Sequence, residues 1–152
     1  FQAFEIHGLR IVPLPVIHGE DLISYGYAFT VGRKNIVYLS DISRMLPETL
    51  DFIRTKLPPT DVLIIDSLHP ERSNPVHYNL REAMELRDAL LSHDNRHRRS
   101  SDSSNGTNKQ LSTYIVGINC DSFPPHDQAN TELAAKYGKV QLAHDGQVVD
   151  CS

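Results

Sequence analysis

The 152-residue sequence predicts an α/β domain. Three observations predict it. Short apolar runs rich in Val, Ile and Tyr recur along the chain. From the middle onward they alternate with segments whose apolar residues fall at helical spacing. Most of the boundaries between them carry Gly or Pro.

Taken in order, the chain opens in strand-like alternation from Phe1 through His7, with no initiator methionine and no loose leader. That abrupt start reads as a partial chain. Residues 9–17 are apolar and β-branched and predict a strand. Pro13 and Pro15 within it point to an edge position or an early end, because proline lacks the N–H that a central strand needs. Residues 25–31 and 35–39 predict two strands joined by the hairpin turn Gly32, Arg33 and Lys34. A helix is expected over 47–57. Pro47 suits its first turn, Glu48 its positive end, and Leu50, Ile53 and Leu57 share one face. Pro58 and Pro59 stop it.

Val62 to Ile65 reads as a short strand buried on both faces. Residues 78–91 predict a second helix, with Ala83, Leu86 and Leu90 on one side. Residues 92–112 hold almost nothing apolar and predict a flexible insertion. Arg96, Arg98 and Arg99 lie in it, and a solvated loop explains them better than a nucleic-acid contact. Asn105-Gly106-Thr107 matches a glycosylation sequon, which without any secretion signal carries no weight. Order returns with a strand at 113–118. After Pro124 and Pro125 comes a short helix near 128–137 closed by Gly138, then a strand at 139–143 and a turn at Asp145-Gly146.

Bulk properties exclude several classes. The net charge of −4 argues against a general nucleic-acid surface, and an anionic substrate would need a local positive site such as a metal ion. Two cysteines, Cys120 and Cys151, make no disulfide framework. No apolar run approaches the ~18 residues of a membrane helix. These features together read as a cytoplasmic protein without a membrane partner.

Several polar groups follow directly on apolar strands. His18 follows Pro15-Val16-Ile17, Asp41 follows Tyr38-Leu39-Ser40, and Asp66 follows Leu63-Ile64-Ile65, with His69 three residues later. His77 precedes the second helix. Strand ends in α/β proteins open onto shared loops, so these groups can converge. Each also has a plain structural explanation: His18 as a surface or satisfied histidine, Asp41 as a turn former, Asp66 as a loop cap, His77 as part of a helix start.

Their order is what resembles a family. Pro13-Leu14-Pro15-Val16-Ile17-His18, Tyr25-Gly26-Tyr27, Tyr38-Leu39-Ser40-Asp41, Asp66-Ser67-Leu68-His69-Pro70 and Val76-His77 are similar to metallo-β-lactamase-fold hydrolases. The nearest kind is the cyclic-phosphate phosphodiesterase of phosphonate breakdown with its eukaryotic relatives. Val140 to Gly146 also resembles their closing strand. The resemblance implies the C-terminal half of an αββα sandwich, a mixed sheet with flanking helices. It implies two divalent metal ions, Zn or Mn, in the complete family site, with His18 and Asp41 as metal ligands. It implies His77 as a catalytic group beside the scissile phosphate, and Asp66 with His69 as a structural motif beneath. The implied substrate is a small phosphodiester.

Two departures qualify this. The family's His-x-His-x-Asp-His motif does not occur, so the chain matches only the second half and few ligands are present. The histidine expected to give the last ligand is absent at Asn119-Cys120; Cys120, Asp121 or His126 can each bind zinc, but loss by drift explains the change as well, and none of the three is among the expected ligands. The rival expectation is a catalytically inactive remnant serving as a binding or regulatory module. Half of a sandwich also exposes an apolar sheet face, which predicts self-association or pairing with the missing N-terminal half.

Overall fold

The computed structural model describes residues 1–98, 111–117 and 120–152. The strands are β1 (Phe4–Ile6), β2 (Leu9–His18), β3 (Leu22–Val31), β4 (Lys34–Leu39), β5 (Val62–Asp66), β6 (Ser112–Val116) and β7 (Val140–Leu142). The helices are α1 (Pro47–Lys56), α2 (Leu80–Arg98) and α3 (His126–Tyr137), with a single 3₁₀ turn at Cys120–Ser122.

The seven strands form one mixed sheet in sequence order, β1 through β7. The first four are antiparallel neighbours, and β4 to β7 run parallel. Each parallel step is a crossover through one helix, and all three steps move the same way along the sheet. Right-handed crossovers then place α1, α2 and α3 on one face. A single core forms there: Val12, Leu14, Val16, Ala28, Val37, Leu39, Leu63, Ile65 and Ile115 from the sheet meet Ile53, Ala83, Met84, Leu86, Leu90, Ala129 and Leu133 from the helices.

The alternate residues of each strand point to the opposite face. There Pro13, Tyr27, Tyr38, Ile64 and Tyr114 lie in register across five strands. Tyr25 and Tyr27 are exposed, and Pro13, Tyr38, Ile64 and Tyr114 are only half-buried. No described helix packs on this row.

The expected early end of the proline-bearing strand is not observed, since β2 runs ten residues. The edge reading holds locally: β1 pairs only with Leu9, Arg10 and Ile11. Past that point the odd-numbered residues of β2 turn their backbone groups outward. Ile17 shows the direction, donating its N–H to Arg44 O at 3.0 Å. Pro13 and Pro15 therefore place their missing N–H on a side with no strand to receive it. The outward carbonyl of Pro15 is served instead by the buried Thr49 hydroxyl of α1 at 2.7 Å.

The second helix also differs from expectation. It starts at Leu80 and continues through residues 92–98, which composition had assigned to the insertion. Those residues contain neither Pro nor Gly, so no helix breaker interrupts the continuation of α2. Residues 99–110, most of the expected insertion and including Asn105, lie outside the described residues. At its other end the insertion is shorter than expected, because Leu111 is buried and Ser112 begins β6. α3 begins at His126, two residues before the expected start.

Candidate metal centre

Because β3 is antiparallel to both neighbours, β2 and β4 run in the same direction, and β5 follows β4 in parallel. The C-terminal ends of β2, β4 and β5 therefore lie along one edge of the sheet. His18 is the last residue of β2, Asp41 follows β4, and Asp66 ends β5. The sheet itself thus collects side chains that are 48 residues apart in the chain.

At this edge His18, Asp41 and His77 each offer a ligand atom, and these atoms lie within 4.8 Å of one another. The rings of His18 and His77 meet edge to face, with centroids 4.9 Å apart. Among the described residues this is the one group of three or more such donors; neither Asp121 nor His126 joins it. His126 lies at the start of α3 instead, with its Nε2 3.1 Å from Leu142 O. Position 119 and the side chain of Cys120 lie outside the described residues.

His77 is held from behind. Its Nδ1–H donates to Asp66 Oδ2 at 2.5 Å, which leaves Nε2 as the nitrogen free to face a ligand. Asp66 is 1% exposed. Burial pushes its carboxyl above the usual carboxylate range; the hydrogen bond and charge of His77 oppose this, and the Asp41 charge adds to it. A carboxylate behind a histidine fixes the ring's tautomer and orientation, an arrangement common at metal-ligating and proton-transferring histidines. His69 takes a different role. Its Nδ1 accepts the amides of Glu71 and Arg72 at 3.0 Å each, closing the turn that leads toward His77.

Asp41 sits in the left-handed region at φ 51°. Non-glycine residues there are strained, and such strain collects at functional positions. The turn that follows it is tied on two sides. Ser43 and Arg44 donate their amides to Ile17 O, at 2.7 and 3.2 Å. The Ser43 hydroxyl reaches Ile17 O and Gly19 O at 3.1 and 3.2 Å. On the other side Tyr78 donates its N–H to Ile42 O at 2.8 Å, and the Tyr78 hydroxyl accepts the Met45 amide at 3.0 Å. Tyr78 is buried, and burial pushes its phenol pKa up. Neither Ser43 nor Tyr78 stood out in the sequence; their adjacency to candidate ligands was the available signal.

The donor set fits a divalent cation. Two imidazoles and a carboxylate suit zinc or manganese, and His18 Nδ1 is buried with no hydrogen-bond partner. A buried imidazole nitrogen without a partner is unfavourable unless something else satisfies it.

The comparisons agree with this architecture. A family model described as a β-lactamase superfamily domain matches residues 2–93. No curated protein matches the sequence. Among solved structures, a diphosphatase from the PhnP family aligns at 27% identity with a TM-score of 0.58, over 96% of this chain and 44% of that one. The short form of human tRNase Z aligns at 12% identity with a TM-score of 0.58, over 98% of this chain and 44% of that one. The metallo-β-lactamase fold protein YhfI of Bacillus subtilis aligns at 19% identity with a TM-score of 0.58, over 96% of this chain and 51% of that one. The chain thus spans about half the length of the structures it resembles.

Proposed function

The chain belongs to the β-lactamase superfamily, and on that premise we propose that it provides part of a metal-dependent phosphodiester hydrolase. The observation that carries this reading is the convergence of His18, Asp41 and His77 at one sheet edge, with Asp66 seated behind His77. The likeness at 27% identity to a structure described as a diphosphatase supports a small substrate with a phosphoryl group.

In this reading His18 and Asp41 hold divalent metal, zinc or manganese. Such cations would polarise a phosphoryl oxygen and lower the pKa of a bound water. Asp66 fixes the His77 ring so that its Nε2 faces the cluster, where it gives a proton to the leaving oxygen.

Thermal unfolding with and without Zn²⁺ or Mn²⁺ tests the metal part. A ligand that binds only the folded state at about 100 times its Kd stabilises by about 2.7 kcal/mol, and the melting temperature rises accordingly. We expect a rise that a chelator reverses and that His18→Ala and Asp41→Ala abolish. No rise at millimolar metal would remove the reading. Turnover of an activated phosphodiester then tests the reaction.

A second reading is a binding or regulatory module without catalysis. It draws on the sequence, which contains no His-x-His-x-Asp-His motif, so that the described cluster offers three donors. Metal binding without turnover of any phosphodiester favours it. On either reading, the row of tyrosines on the uncovered sheet face supports self-association or pairing with a complementary domain.

A further inference from the structure

Each member of the metal cluster is the sequence neighbour of a residue bonded into one small clasp. His18 follows Ile17, Asp41 precedes Ile42, and His77 precedes Tyr78. The clasp is the turn from Ile42 to Met45. On one side Ile17 exchanges backbone hydrogen bonds with Arg44, accepting at 3.2 Å and donating at 3.0 Å, and also accepts from Ser43. On the other side Tyr78 makes two bonds to the same turn, one from its backbone N–H to Ile42 O and one through its hydroxyl to the Met45 amide. Tyr78 also accepts the Leu68 amide at 2.9 Å, which ties the turn to the loop that follows Asp66.

Only one of these bonds between the turn and Tyr78 depends on a side chain. The Tyr78 hydroxyl is the sole described partner of the Met45 amide, and the burial of the phenol limits its replacement by water. Without it the turn keeps a single backbone bond to the His77 side. Asp41, held at a left-handed φ and tied also through its own backbone to the Asp66 carboxyl, would lose part of its restraint, and His77 would lose part of its link through the turn to the strand that carries His18.

We propose that Tyr78 is a positioning residue for the metal centre, its hydroxyl holding the turn after Asp41, and through it His77, in register with His18 before any metal arrives. This rests on the metal-site reading above but is separable from it, since it concerns the geometry of the metal-free protein. A residue that orients ligands in this way affects metal affinity by about 10- to 100-fold in other metalloproteins.

The test uses the full chain and the variants Tyr78→Phe and Ser43→Ala, with circular dichroism to confirm that each is folded. Two quantities are measured: the nuclear Overhauser contact between the His18 and His77 rings in metal-free protein, and Zn²⁺ affinity against a competing chelator. The wild type should show the contact. Tyr78→Phe should weaken it and lower Zn²⁺ affinity by about tenfold or more. Ser43→Ala, which leaves three backbone bonds to Ile17 in place, should do less. If Tyr78→Phe is folded and keeps both the contact and the affinity of wild type, the proposal is overturned, even if its melting temperature has dropped. If wild type binds no Zn²⁺ but Tyr78→Phe still loses the ring contact, the positioning role stands and the metal reading fails.

Discussion

Asp41 joins a left-handed backbone to a candidate ligand carboxylate, so on the metal-site reading stability and binding should move in opposite directions when it is changed. Glycine adopts φ near +50° without the penalty an L-residue suffers, which is about 1 kcal/mol or more. Asp41→Gly is therefore expected to melt higher than wild type in the absence of metal and to show no metal-induced rise, both readable in one calorimetric series. At His77 the expectation separates two jobs for Nε2. If it transfers a proton, His77→Ala keeps the metal-induced rise in melting temperature while turnover falls by about 10²- to 10⁴-fold. Loss of the rise would make His77 a ligand instead. The residue types of this site were legible in the sequence because polar groups stood directly after apolar strands. Tyr78 and Ser43 were not legible, because their importance lies in hydrogen bonds to backbone atoms 24 or more residues away, which no spacing rule reports.

At the scale of elements, two places decide local stability. The start of α2 is a capping box: Glu82 N–H donates to Asn79 Oδ1 at 2.9 Å, and Asn79 N–H donates to the Glu82 carboxylate at 2.8 Å. Asn79→Ala should cost about 1 kcal/mol, seen as a lower denaturation midpoint with an unchanged slope. In β3, Gly26 lies where a Cβ would come within 2.6 Å of both Leu39 Cδ2 and Tyr38 O. Part of that contact is rigid backbone, so Gly26→Ala should destabilise by about 1–3 kcal/mol through overpacking of β3 against β4. The strands and helices were largely readable from periodicity. Their ends were read less well. The box Asn79-Leu80-Arg81-Glu82 marks the true start of α2, but the apolar pattern alone drew the helix two residues too early. Its far end ran past the expected stop because composition signals solvation, and a solvated segment is as compatible with helix as with loop. The edge character of β2 was visible in its prolines, whereas its full length depends on outward carbonyls met by Thr49 and on the turn at Ser43, both long-range.

At the scale of the molecule, helices cover one face of the sheet and none of those described covers the other. Pro13, Tyr27, Tyr38, Ile64 and Tyr114 form a continuous row there. Rows of aromatic and aliphatic side chains in water favour association. The chain in isolation is expected to sediment as a concentration-dependent dimer or larger species, and Tyr27→Lys with Tyr114→Lys should shift it toward monomer without loss of helical signal. A monomer at all concentrations would remove that expectation. No described helix is long and apolar enough to cross a membrane.

The strictly sequential strand order has a consequence for how the chain comes together. Every strand pairs with the one made just before it, so none must wait for a later segment to be inserted between two already formed. The pairings among β1 to β4 have short separations along the chain and close small loops, whereas each later parallel pairing waits for the helix between its two strands. A polypeptide leaving the ribosome can therefore zip up from its first hairpin onward. Once β2, β3 and β4 have brought His18 and Asp41 to one sheet edge, the arrival of Tyr78 would fasten the Asp41 turn and His77 beside them while the last two strands were still being synthesised.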